Sequence, residues 1–170
     1  MLRLEHKVVR LSQIREHCQI LRSLGNHIVA TSGCFDLLHP GHVLFLHQAR
    51  CHYGTHLIVC LNSDASVTRL KGKERPLFAV RDRVLMLAAL EAVDTIVVFD
   101  DDTPEGVLEV IQPHAYVKGP DRRIEDLPEA AVVQKYGGEV HTLPYLSEHR
   151  TTVLLERLQA LPGAKRRKRR

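Results

Sequence analysis

Apolar and polar positions along this chain follow two periods in turn. Ile28-Val29-Ala30-Thr31 is a short, largely β-branched run bounded by Asn26 and Gly33, and it reads as a buried strand. Leu57–Leu61, Thr95–Phe99, Ala115–Val117 and Glu139–Leu143 repeat that pattern. Helical spacing fills the intervals. Ser12–Leu24 places Ile14, Cys18, Leu21 and Leu24 on one face, with Gly25 ending it. A second helix runs from Pro40 to about Cys51, with Val43, Leu46 and Ala49 or Arg50 around its turns and Tyr53-Gly54 closing it. A short helical piece spans Ala65–Leu70, and a long helix spans Val80–Glu91 with Arg81, Asp82 and Arg83 on its exposed face. Thr103 caps a further helix with Pro104 and Glu105 in its first turn, another ends at Gly137-Gly138, and Thr152–Leu161 closes the fold. This alternation predicts a three-layer, Rossmann-like α/β domain with a five-stranded parallel sheet.

At 170 residues the chain has the length of one ordinary domain. The expected organisation is an N-terminal helix in 1–25, a catalytic domain in 26–161 and a basic, disordered tail in 162–170. The longest apolar run, Leu85–Leu90, is far short of a bilayer span, and Met1–Arg10 alternates charge with apolar residues, so a cytoplasmic protein is expected. Cys18, Cys34, Cys51 and Cys60 form no C-x-x-C pair, which suits reduced, structural thiols. Cys34 lies in the loop described next, where a nucleophile is the alternative reading. The net charge is +4, and Lys165–Arg170 carries six positive charges, which leaves the rest at −2. Such a tail is a solvated extension, with contact to nucleic acid as the other reading.

The candidate chemistry begins at Gly33-Cys34-Phe35-Asp36-Leu37-Leu38-His39-Pro40-Gly41-His42. Pro40 suits the first helical position, which puts His39 at the helix cap and His42 in the first turn. Free backbone amides and the positive end of the helix dipole favour an anion there, and the two imidazoles add donors. Polyphosphate is the natural guest; a two-histidine metal clip is the competing reading of the spacing. Neither G-x-G-x-x-G nor G-K-[ST] occurs. Polar residues also follow the other strands: Asn62 and Asp64, then Lys118, Gly119 and Asp121, then Arg150, Thr151 and Thr152. Open parallel sheets bind ligands at that end.

His39-Pro40-Gly41-His42 after Gly33-Cys34-Phe35-Asp36 resembles the HxGH signature of the cytidylyltransferase-like nucleotidyltransferases. Asn62-Ser63-Asp64, Arg69-Leu70-Lys71-Gly72, Arg75-Pro76, Glu91-Ala92-Val93-Asp94, Asp102-Thr103-Pro104 and Val117-Lys118-Gly119 extend the likeness. As an ordered set, from Asn26 to Leu158, they are similar to the adenylyltransferase domain of bacterial ADP-heptose synthases.

That resemblance implies attack of a sugar-phosphate oxygen on the α-phosphorus of a nucleoside triphosphate, with pyrophosphate leaving. It implies ATP, or CTP, and a phosphorylated sugar as substrates, Mg2+ carried mainly by the nucleotide phosphates, and a homodimer. His39, His42 and Lys71 become the catalytic candidates. Thr31, Ser32, Gly33, Cys34, Phe35, Gly41, Lys118, Arg150, Thr151 and Thr152 join the histidines around the nucleotide. Asp36, Asn62, Asp64, Lys71, Arg75 and Asp121 fall to the acceptor. No protein-held metal is expected. Two departures touch the pockets: Arg150 stands where the family has a serine, and Pro120 where the heptose enzymes have a second glycine. A glycerol-3-phosphate cytidylyltransferase and a flavin adenylyltransferase stay open within the class. Outside it stand a silent nucleotide sensor and a nucleic-acid binder acting through the tail.

Overall fold

The five apolar runs form strands β1 (Ile28–Gly33), β2 (His56–Asn62), β3 (Thr95–Phe99), β4 (Ala115–Lys118) and β5 (Glu139–Thr142). The protein is seen as a computed structural model that describes residues 4–119 and 123–144. The strands make one parallel sheet in the order β3-β2-β1-β4-β5. Parallel neighbours need crossovers, supplied by α2 (Pro40–Tyr53), α3 (Asp64–Lys71), α4 (Val80–Ala88), α5 (Glu105–Ile111) and α6 (Pro128–Lys135), while α1 (Ile14–Ser23) precedes β1.

Both faces of the central strands are covered, which explains runs that are apolar throughout rather than alternating. Leu57, Val59 and Leu61 of β2 pack with Phe45, Leu46 and Ala49 of α2 and with Leu87 and Ala88 of α4. Ile58 and Cys60 point the other way, onto Ile14, Cys18 and Leu21 of α1 and Val107 and Ile111 of α5. Val133 of α6 joins that second layer against Ala30 and Tyr116. Each such aliphatic side chain contributes about 1.5–3 kcal/mol on burial. No helix among the described residues is long and apolar enough to cross a membrane.

The chain builds outward from β1 to β2 and β3, then returns to lay β4 on the far side of β1. Strand order therefore reverses between β1 and β4, and a crevice opens beyond their carboxyl ends.

Several local expectations are corrected. The first helix begins at Ile14 after a 3₁₀ turn over Leu11–Gln13, and Leu24 lies beyond it, 72% exposed. Gly25, at φ +78°, supplies the left-handed residue that ends this helix. The fourth helix stops at Ala88, short of Glu91. Thr103 does not cap α5: its hydroxyl donates to the Glu105 carboxylate at 2.7 Å, and Pro104 holds the cap position. Arg83 is not on an exposed face; it is fully buried. The closing helix expected at Thr152–Leu161 and the tail lie outside the described residues.

Candidate active site

Beyond β1 the backbone turns sharply. Phe35 sits at φ +43°, a left-handed conformation uncommon for an aromatic residue, and its buried ring folds back under Gly33. A Cβ on Gly33 would lie 3.0 Å from that ring, so glycine lets the strand end and the ring coexist. Asp36, also buried, accepts from the amides of Leu77 (2.6 Å) and Phe78 (3.1 Å) and pairs with Arg75 at 2.9 Å. Asp36 and Arg75 thus tie the segment before α4 to the end of β1. Those bonds stabilise the turn, and Asp36 also lines the cavity described below.

His39 is the extended residue ahead of α2 and Pro40 its first helical residue. The amides of His42 and Val43 both donate to the His39 carbonyl, at 2.9 and 3.3 Å. Pro40 has no N–H, so the expected row of free amides narrows to that of Gly41. The two imidazoles stack with centroids 3.8 Å apart and planes 28° from parallel. His39 is buried behind and His42 faces outward. Burial, then the neighbouring His39 and Lys71, pull the pKa of His42 down to about 4, so its ring is neutral at pH 7. Among the described residues, His42 Nδ1 and the hydroxyl of buried Thr31 have no hydrogen-bond partner. Buried polar atoms of this kind ask for a ligand or water.

These groups wall a cavity of about 480 Å³ at the β1–β4 crevice. From β1 and its loop come Thr31, Ser32, Gly33, Cys34, Phe35 and Asp36; Asn62 ends β2, Lys71 ends α3, and Lys118 ends β4. Phe45, Phe99 and Leu127 give it apolar walls. Asp64 does not reach it and pairs instead with Arg83 at 2.7 Å. Gly41 is buried within the first turn of α2. Asp121, Arg150, Thr151 and Thr152 lie outside the described residues.

Three contributors, Arg83, Tyr116 and Glu129, were not read from the sequence. Arg83 donates to the carbonyls of Cys34 (2.6 Å), Asn62 (2.9 Å) and Phe78 (3.1 Å), holding three loops of the site to one guanidinium. Tyr116, fully buried, donates to Glu129 at 2.9 Å, and its hydroxyl meets Ser32 at 2.7 Å. Lys118 donates to Ser32 (2.9 Å) and Tyr116 (3.2 Å) and faces the Glu129 carboxylate at 3.3 Å. A Tyr two residues before a Lys on one strand, both on the same face, was the available signal for this cluster.

The family described as Cytidylyltransferase-like matches residues 30–153 of the chain. The chain belongs to the cytidylyltransferase-like family. It is 46% identical over 155 residues to the bifunctional protein HldE of Ectopseudomonas mendocina (strain ymp), covering 91% of this chain and 33% of that protein. With HldE of Azotobacter vinelandii (strain DJ / ATCC BAA-1303) the identity is 44% over 158 residues, covering 93% and 33%. The chain thus spans about a third of the length of these curated relatives. Among solved structures it resembles the lipopolysaccharide core biosynthesis protein from Thermoplasma volcanium GSS1, with TM-score 0.59 and 25% identity over 74% of this chain and 100% of that one. It shares its fold with pantoate-beta-alanine ligase from Francisella tularensis, with TM-score 0.53 and 11% identity over 85% and 68%. The span matched to the cytidylyltransferase-like family begins in β1 and takes in the whole His39–His42 turn, Lys118 and the Arg150-Thr151-Thr152 run.

The carboxylates around the family's cavity are already engaged. Asp36 serves two amides and Arg75, Asp102 pairs with Arg69 at 2.7 Å, and Glu129 serves Tyr116 and Lys118. Among the described residues no three His, Cys, Asp or Glu side chains converge as a metal site. These residues do not fit a protein-held magnesium ion.

Proposed function

We propose that this chain is a nucleotidyltransferase that moves an adenylyl group from ATP to the phosphate of D-glycero-D-manno-heptose 1-phosphate, giving ADP-heptose and pyrophosphate. The observation that carries this reading is the stacked His39–His42 pair at the head of α2, of which His42 faces a cavity that also receives Lys71 and Lys118. Homology to HldE and the ordered motifs support the adenylyl donor and the heptose acceptor.

A phosphate oxygen of the acceptor forms the new bond to the α-phosphorus as the bond to the oxygen bridging α and β breaks. Negative charge grows on the departing pyrophosphate, so positioning and charge stabilisation are the protein's task. His42, neutral at pH 7, donates a ring N–H, and a polyanion beside it favours its protonation as charge builds. Buried His39 fixes the plane of that ring. Lys71 at the end of α3 lies near enough to His42 to lower its pKa and brings a point charge to the same cavity. Magnesium enters with the nucleotide as part of the substrate. An ATP-consuming step of this kind belongs in the cytoplasm. The chain also forms a homodimer in this reading, through exposed Val43 and Leu44 of α2 and Leu77, Phe78 and Leu85 around α4.

Pyrophosphate release is measured with ATP and with CTP against heptose 1-phosphate, glycerol 3-phosphate and FMN. Release with ATP and heptose 1-phosphate is expected. Release only with CTP, or only with another acceptor, overturns the assignment of substrates. Nucleotide binding without release in any arm points to a sensor instead. Light scattering on the eluting protein reads the dimer, and a monomer refutes it.

A further inference from the structure

We propose that Glu129 is the resident counter-ion of Lys118, which a nucleotide phosphate must displace, so that this carboxylate weakens nucleotide binding and eases release of the nucleotide product. The inference rests on the nucleotidyltransferase reading of the cavity and adds to it a residue of α6 that holds the lysine.

The hydrogen bonds around Lys118 admit one orientation of their protons. Tyr116 has a single hydroxyl proton and gives it to Glu129 Oε1 at 2.9 Å. Ser32, 2.7 Å from the Tyr116 oxygen, must then be the donor to it. The Ser32 oxygen in turn accepts from Lys118 at 2.9 Å, and the ammonium also reaches Tyr116 at 3.2 Å and Glu129 at 3.3 Å. Two protons of the ammonium are therefore engaged by hydroxyl oxygens while the carboxylate balances its charge, and Ser32 has no proton left for a phosphate. In this arrangement Ser32 is a strut for Lys118 rather than an anion donor.

Exposure is unequal across the pair. The Glu129 side chain is 4% exposed and that of Lys118 27%, so the lysine can turn into the cavity while the carboxylate stays in its wall. A phosphate taking Lys118 at ordinary hydrogen-bond lengths comes within about 6 Å of Glu129. Two like charges at that range, away from bulk water, repel enough to matter to affinity. The phosphate must also replace the carboxylate as partner of the ammonium. When product departs, Lys118 returns to Glu129, which stays held by Tyr116 throughout.

Glu129→Gln keeps an acceptor for Tyr116 and for Lys118 while removing the charge. Titration calorimetry of the full chain with ATP and with CTP compares wild type, E129Q, K118M and the double variant. Roughly tenfold tighter binding of nucleotide by E129Q is expected, with most of that gain lost in the K118M background. Structural damage does not tighten binding, so the sign itself discriminates. Unchanged or weaker binding by a folded E129Q, or an equal gain without Lys118, overturns the counter-ion role. Tyr116→Phe, made in a Ser32→Ala background so that no freed hydroxyl proton reaches the phosphate, carries the opposite sign: Glu129 keeps Lys118 as its main partner, and nucleotide binds severalfold more weakly than to S32A. Unchanged affinity there also counts against the proposal, and this arm stands if E129Q fails to fold. A wild type that binds neither nucleotide sinks the nucleotidyltransferase reading, and this inference with it.

Discussion

Arg83→Met is the substitution whose consequences can be followed furthest. The side chain is fully buried and serves three backbone carbonyls and one carboxylate: Cys34, Asn62 and Phe78 at 2.6, 2.9 and 3.1 Å, and Asp64 at 2.7 Å. Methionine fills much of the volume and donates nothing. Asp64 is 43% exposed and regains water, while the carbonyls, in buried or partly buried surroundings, are left under-satisfied at about 1–3 kcal/mol for each one that stays dry. Removing one partner of a buried charged network costs about 3–5 kcal/mol overall. With a urea dependence of about 1–3 kcal/mol/M, the unfolding midpoint falls by roughly 2 M. Cys34 and Asn62 also line the cavity, so the loops that loosen are those of the site, and a shift of about 1 Å there lowers kcat/KM by about 10²-fold. Urea unfolding followed by circular dichroism and pyrophosphate release read the two effects. Asp64→Asn separates the charge from the clamp: asparagine still accepts from the guanidinium, but buried Arg83 loses its carboxylate, so a loss smaller than that of R83M is expected. If R83M unfolds within 1 M of wild type, or if D64N does equal damage, the carbonyl clamp is refuted.

His42→Ala lowers kcat by about 10²–10³-fold in the pyrophosphate assay, the scale for losing one transition-state donor, and His39→Ala, which frees the ring it orients, lowers it by less; normal turnover in both ends the phosphate assignment. Stability depends on pH through His42, whose pKa is about 4 folded and 6.5 as a free side chain. Between those values the unfolded chain binds a proton that the folded chain refuses, so stability is full above pH 6.5, falls toward pH 4 and then levels, by at most about 3 kcal/mol. His42→Asn flattens that part of the urea-midpoint profile, and identical profiles contradict the shift. Truncation after Leu161 leaves kcat/KM unchanged, because the cavity is built at β1 and β4; a large loss places part of the site in the basic tail.

Local pattern was enough for the frame. Buried parallel strands show as unbroken apolar runs, and five of them alternating with helical segments leave few arrangements other than this sheet. The Gly33–His42 turn was legible for a similar reason. A strand end, a proline at the first helical position and two histidines three residues apart define local geometry with no help from the rest of the chain.

What the chain itself determined is thus everything set by residues within a turn or two of one another: strand and helix periods, the cap at Pro40 and the histidine pair. The tertiary structure alone decided the partners. Arg81-Asp82-Arg83 reads as a solvated helix face, because the three carbonyls that make Arg83 a core residue belong to Cys34, Asn62 and Phe78, two of them far away in sequence. Asp36 and Arg75 are 39 residues apart in sequence, and only the fold shows that they pair with each other. Ser32 reads as a loop hydroxyl in sequence, and only the fold brings Tyr116 and Lys118 within hydrogen-bond reach of it. A side chain's period fixes the face it occupies, whereas its protons and charge are committed by whichever distant group the sheet order brings within about 3 Å.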